Sequence, residues 1–293
     1  MINKIKMRNF LGFMLVCFFT GNLFAQDDLL SQLDNVKSNE KQIEIAAFKG
    51  LQIANMQSTK MPAKGEWYML VSHRFGDLSK GFNNFFGLDN ALTKFGGIYG
   101  ATNWLSFGAS RHTSNKIYEV TAKYKMANQE VNGFPVTIVG YNTMDINSAL
   151  EKDLYPNLRF SDRLAFTAQL LVSRKVNEKF SVEMGFINVY KNLYDDSVEQ
   201  QNVFSTAAGL RYKVAKRISV NLEYAARIIA EEKAIDPYHN PLTVGLDIET
   251  GGHVFQLVVS NSQPMNDVAV FSGATGDWNK GAVYFGFNMY RSF

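Results

Sequence analysis

Arg111-His112-Thr113-Ser114-Asn115 sets an imidazole and a hydroxyl two residues apart, so both fall on one side of an extended strand. A serine nucleophile needs an imidazole within hydrogen-bond reach and a third polar group to orient the ring. That chemistry would be lipid or ester hydrolysis. The run is also rich in Thr, Ser and Asn, as tight turns are. No third member and no oxyanion motif accompanies it, so a lipid hydrolase is the remote reading, no catalytic residue is assigned, and no enzyme is expected. Ser72-His73-Arg74-Phe75-Gly76-Asp77 offers a second set. Its histidine and aspartate suit a cation, but the four histidines (73, 112, 239 and 253) are scattered and no paired-histidine spacing occurs. Neither metal nor cofactor is expected. The preferred reading is a rim ion pair, with Arg74 near Asp77 or Asp89 tying down the segment 77–93.

A third set is electrostatic. Glu183, Arg211, Lys213, Glu223 and Arg227 fall on the polar faces of three successive alternating segments. Hairpin geometry predicts Glu183 near Arg211 and Arg211 near Glu223. Such a cluster either closes an interior by pairing with itself or lines a narrow polar pore. Because it carries both signs, strong ion selectivity is not expected. No phosphate loop, dinucleotide fingerprint, zinc ligand set or glycosidase pair is visible.

Period-two alternation dominates from Trp67 onward. In 218–228, Ile218, Val220, Leu222, Tyr224, Ala226 and Ile228 share one face, against Ser219, Asn221, Glu223 and Arg227. Twelve such strands are expected (range 10–14), at 66–76, 94–102, 104–112, 116–127, 134–143, 161–174, 179–192, 200–214, 217–230, 242–249, 252–261 and 280–293. Short and long connections alternate, as in a transmembrane antiparallel β-barrel with short turns on one side and long loops on the other. Strands of this length exceed those of a soluble β-sandwich, and aromatics such as Trp67, Trp104, Tyr190 and Tyr212 sit near strand ends. The fold class is therefore all-β.

The long segment 77–93 carries Phe82, Phe85, Phe86 and Leu88 between glycines. It is expected either to fold over the barrel mouth or to rest in the membrane interface. The segment 262–279 is long enough for a lid or a ligand contact.

The chain opens with Lys4, Lys6 and Arg8, an apolar run, and Leu23-Phe24-Ala25. This is the pattern of a signal peptide over 1–25, leading to the cell outer membrane of a Gram-negative cell. The single cysteine, Cys17, lies inside it. Residues 26–65 read as a periplasmic segment, with an extra strand possible at 46–57. A net charge of +3 without basic runs excludes a nucleic-acid partner. Beyond residue 25 no 18-residue apolar run exists, which excludes a helical span and leaves a closed barrel for a lipid-embedded chain.

The chain ends in an alternating strand with Phe285, Phe287 and Phe293. This is the barrel-closing strand, which must meet the first so that no edge is left open in lipid. It also resembles the terminal signal read by the barrel assembly machinery, so that machinery and outer-membrane lipid are the expected partners.

Residues 71–111, with Ser72-His73-Arg74-Phe75-Gly76-Asp77 and Asn84-Phe85-Phe86-Gly87-Leu88-Asp89-Asn90-Ala91, are followed by 116–126 and the terminal 285–293. Together they resemble an uncharacterised outer-membrane β-barrel family of Bacteroidetes that bears only a domain-of-unknown-function label, over about residues 45–293. The resemblance implies a barrel and no activity, so no site residue is carried over. The expected role is porin-like: a narrow channel or solute-binding barrel taking a small solute. The alternative is a closed barrel serving as a scaffold in an envelope complex.

Overall fold

The computed structural model describes residues 42–228, 236–251 and 253–293. The expected leader at 1–25 and the stretch 26–41 lie outside the described residues, as do positions 229 and 230 of the ninth expected strand. Among the described residues twelve antiparallel strands close into a barrel. They are β1 (Trp67–Asp77), β2 (Leu92–Gly100), β3 (Leu105–His112), β4 (Ile117–Ala127), β5 (Thr137–Asn147), β6 (Leu164–Lys175), β7 (Phe180–Lys191), β8 (Asn202–Ala215), β9 (Ile218–Ile228), β10 (Leu242–Thr250), β11 (His253–Ser260) and β12 (Tyr284–Ser292). Each strand pairs with its neighbours in sequence, and β12 closes the wall on β1, with Leu70 opposite Tyr290. Just beyond β12, the Phe293 amide donates to the Trp67 carbonyl at 2.8 Å. The wall therefore leaves no unpaired edge for lipid.

Alternation decides which face is which. Tyr118, Val120, Leu222, Tyr224, Phe186 and Phe204 are exposed on the outside of the wall, the band that faces hydrocarbon in a membrane barrel. At the seam, Phe287 stacks on His73 and Phe285 on Phe75. His73 thus belongs to the outer face, where its Nδ1 lies 3.0 Å from the Thr93 hydroxyl.

β5 lies further along the chain than the expected 134–143. Pro135 has no amide to give a ladder, and Asp145-Ile146-Asn147 continues the strand, because Asp145 is buried inward against Asn266. The connection 113–116 is a single 3-10 turn in which Asn115 and Lys116 take positive φ, which lets a hairpin turn in very few residues.

Two segments that are not wall strands fill the interior. Residues 46–59 form a narrow hairpin inside the barrel: the Ile53 amide donates to the Met56 carbonyl at 2.8 Å and the Ser58 amide to the Leu51 carbonyl at 3.0 Å. This corrects the expectation of an extra wall strand at 46–57. Its bridge, Gln52 with Gln57, is to itself, and Phe48, Leu51, Ile53, Ala54 and Met56 are buried in the lumen. From the opposite end, the connection between β11 and β12 sends in a short helix, α1 (Asp267–Ser272), with Val268, Val270 and Phe271 buried. The two meet in one apolar cluster. It joins Phe48, Ile53 and Met56 to Val270 and Phe271, and to the inward faces of β5–β9 at Val139, Leu171, Ile187, Val203 and Ala225.

Candidate functional site

The inner wall holds the hairpin mainly by its main chain. Glu223, at mid-β9, accepts from three consecutive amides: Ala54 at 3.1 Å, Asn55 at 2.9 Å and Met56 at 2.9 Å. Glu183 on β7 accepts from the Thr59 amide at 2.9 Å. The Lys123 ammonium on β4 donates to the carbonyls of Leu51 and Ser58, at 3.1 and 3.0 Å, spanning both arms. Asn221 donates to the Ile53 carbonyl, Gln256 to those of Gln52 and Ile53, and Asn288 to that of Ala54. Ten hydrogen bonds from the wall thus end on main-chain atoms of the hairpin. Side chains add to them. Arg74 donates to Asn55 Oδ1 at 2.8 Å, Asn55 Nδ2 donates to Thr243 and Ser260, Thr59 bonds Ser173, and Tyr290 bonds Gln52.

Register explains why these residues converge. Glu183, Gly209, Glu223, Thr243 and Ser260 form one inward row across β7–β11. The glycine between the two carboxylates makes a hole. A Cβ at Gly209 would sit 2.2 Å from Ile53 Cδ1, and one at Gly185 would sit 2.8 Å from Met56 Cε. The hairpin tip therefore seats two apolar side chains in glycine holes, while carboxylates on either side take its amides. Burying one such side chain is worth about 1.5–3 kcal/mol, and a hydrogen bond to a charged group about 1.5–3 kcal/mol.

The expected charge cluster is differently wired. Glu183 and Glu223 lie inward, but they bind the hairpin and not Arg211. Arg211 lies nearer the end that carries Trp67 and Phe293, where its Nη2 meets Glu249 at 3.0 Å. Arg227 lies towards the long-loop end, 3.6 Å from Asp236 and with Nη1 bonded to the Tyr238 carbonyl. Lys213 is half-buried near the first end. Strand separation along the wall defeats the predicted pairings: two residues along a strand move a charge by about 7 Å.

Arg74 is also rewired. It is only 1% exposed, and it turns into the lumen towards Asn55, Asn288 and the carbonyls of His73 and Phe287. Asp77 instead caps the following 3-10 segment, accepting from the Ser79 amide at 2.9 Å. No contact with Arg74 is made by Asp89, which is exposed. Phe85 and Phe86 stand exposed at positive φ, with Phe82 edge-on to Phe86. The segment that enters the lumen from that end is 262–277, through α1, and not 78–90.

The His112–Ser114 pair is not formed. His112 is buried on the inner wall, its Nε2 3.1 Å from the Ser110 hydroxyl and 3.3 Å from Glu119. Lys94 holds the same carboxylate at 2.6 Å. Serine and carboxylate crowd one ring nitrogen, whereas a relay needs them on opposite nitrogens. Among the described residues, no group of three or more metal-ligating side chains is placed to hold an ion.

Above the plug, at the long-loop end, lies a cavity of about 690 Å³ lined by Asp145, Tyr155, Lys191, Tyr194, Glu199 and Tyr238, with α1 as part of its floor. Lys191 and Glu199 pair at 3.0 Å across it, and the Tyr238 hydroxyl donates to Glu199 at 3.0 Å. Burial and this carboxylate push the Tyr238 phenol up to about 12. Within α1 and facing away from the cavity, burial pushes the Asp267 carboxyl up to about 7, and the charge of Glu119 adds to it. Gln169 donates to Asp267 at 2.5 Å.

A family model described as a membrane-bound β-barrel domain (DUF5777) matches residues 48–293. The chain belongs to that family. The match begins at Phe48, so the family domain takes in the lumen hairpin as well as the wall. No curated protein matches the chain. Among solved structures, it is similar to the KdgM porin in complex with disordered oligogalacturonate, at 10% identity, over 77% of this chain and 99% of that one, with a TM-score of 0.50. A second is the outer membrane protein Omp33 of Acinetobacter baumannii, at 10% identity, over 80% and 100% of the two chains, with a TM-score of 0.44. The KdgM likeness is one of fold. This family member is a membrane β-barrel with an occupied lumen.

Neither the hairpin nor its seats were expected from sequence. A signal was present: 170–172 is apolar on both faces, as is the pair Phe186-Ile187, and glycines fall inward at 185, 209 and 245. A water-filled lumen calls for neither.

Proposed function

We propose that this protein is a small-solute barrel of the outer membrane, reached after removal of the leader, whose lumen is closed in this form by its own residues 46–60 and opens when they withdraw. One observation carries the reading. The wall closes strand to strand from β1 to β12 without the hairpin, so the hairpin can leave without breaking any wall ladder. It enters and leaves by one end. Residues 42–44 meet the β4–β5 turn, where the Glu44 amide donates to the Gln129 carbonyl at 2.8 Å, and Gly65 donates to Gly100 at 2.7 Å. The 690 Å³ cavity at the other end gives a solute a polar, aromatic-rimmed place to rest before passage.

The closed-scaffold reading draws on a different observation, the apolar cluster that cements hairpin, α1 and wall. Conductance in a planar bilayer separates the two. The intact chain is expected to be silent or nearly so. The double variant Ile53→Asp/Met56→Asp, which puts carboxylates beside Glu223 and so expels the tip, is expected to give sustained discrete steps. Silence from a folded variant whose 46–60 segment has become protease-sensitive would sink the channel and leave the scaffold.

A further inference from the structure

We infer that the lumen is a binding site for polypeptide main chain, so that the solute class of this barrel is short peptides and the hairpin is a resident occupant of the peptide site. This rests on the reading that the hairpin can leave the lumen. The donor and acceptor pattern of the wall is the complement of a peptide backbone. Amides only donate, and the groups that meet them here are the carboxyl oxygens of Glu223 and Glu183, which accept in every one of these bonds. Carbonyls only accept, and they meet Lys123, Asn221, Gln256 and Asn288, each through an N–H donor.

The arrangement has the spacing of a chain as well as its polarity. One carboxylate takes three consecutive amides, and one ammonium reaches carbonyls on two antiparallel arms. A saccharide, whose hydroxyls both donate and accept, needs no such segregation of acceptors from donors.

The side-chain seats are permissive. Ile53 and Met56 enter holes left by Gly209 and Gly185, and Ala54 faces Gly245. Such holes accept any apolar side chain of fitting length and name none. Recognition through the main chain, with loose apolar seats, reads peptides with little regard to sequence, except at the position of Asn55, whose side-chain amide meets Arg74, Thr243 and Ser260.

The test uses a dye-labelled synthetic peptide of residues 46–60 and the full-length Ile53→Asp/Met56→Asp chain in detergent, read by fluorescence anisotropy. The intact wild-type chain should bind little, because its site is occupied. The variant should bind the peptide saturably. A peptide with Gln52 and Thr59 changed to alanine should bind within about tenfold of the parent, since only side-chain bonds are lost. A peptide N-methylated at Ala54, Asn55 and Met56 should bind about a hundredfold weaker, because the bonds to Glu223 are gone. Equal binding by the N-methylated peptide, or equal competition by a neutral oligosaccharide of similar length, would overturn the inference.

Binding is read here without conduction. A silent bilayer with intact peptide binding therefore removes the channel and keeps the peptide site, and conduction without peptide binding does the reverse. If the double variant fails to fold, amide hydrogen exchange on the intact chain decides. Glu223→Gln should speed exchange at 54–56 by about tenfold or more, and Gln52→Ala by much less. Equal effects would overturn the inference.

Discussion

Gly209 is the residue on which the closed state turns. It stands between Glu183 and Glu223, and a Cβ there meets Ile53 at 2.2 Å. The atom met is the end of a flexible side chain, so alanine is expected to be tolerated by a shift of Ile53. Valine is expected to fill the seat and lift the hairpin tip. In Gly209→Val, thiol labelling of an Ala54→Cys reporter, in a Cys17→Ser background, should rise by tenfold or more, while heat-modifiable mobility on a gel stays that of the parent. Unchanged labelling would show that the tip does not depend on this seat. Arg74 illustrates the same residue-level logic: a basic side chain beside acidic loop residues in sequence was drawn inward by Asn55 and Asn288, which no local spacing reveals.

Among elements, α1 is the second stopper. Its Asp267 is fully buried, with Gln169 as donor, and burial lifts its pKa to about 7. An acid raised in this way favours the docked state while it is protonated. That contribution is fully present below the ordinary aspartate range and is lost as pH rises towards 7. Protease cleavage within 262–277 is therefore expected to be slower at pH 5 than at pH 8, and Asp267→Asn is expected to flatten the difference at the slower rate. Equal cleavage of the wild type at both pH values would mean that the carboxyl does not change charge on docking.

For the whole molecule, closure of the wall and closure of the lumen are separate events. The wall depends on β12, which pairs with both β1 and β11. Removal of residues 284–293 should leave two open edges and abolish the heat-modifiable form altogether. Expulsion of the hairpin should leave that form intact, since no wall ladder passes through it. A truncated chain that still ran as a folded barrel would show that eleven strands can close.

The wall was legible in the residues alone. Period-two alternation along residues 67–293 must put one face to lipid and one inward. The count of twelve, the long and short connections and the terminal seam all follow from that constraint, because an open edge has no hydrogen-bond partner in hydrocarbon. Which residues point inward was equally local: Glu183, Arg211 and Glu223 were placed on that face by parity alone. What they touch depends on the closed barrel. Glu223 lies 168 positions from Asn55 in the chain and 2.9 Å from its amide in the fold, and the pairing depends on wall register and on a hairpin folded back through the bore. An apolar stretch such as 46–57 carries the same pattern whether it adds a strand to a wall or fills a lumen. Only the glycine holes and carboxylates of β7–β10, brought together by closure, select the second.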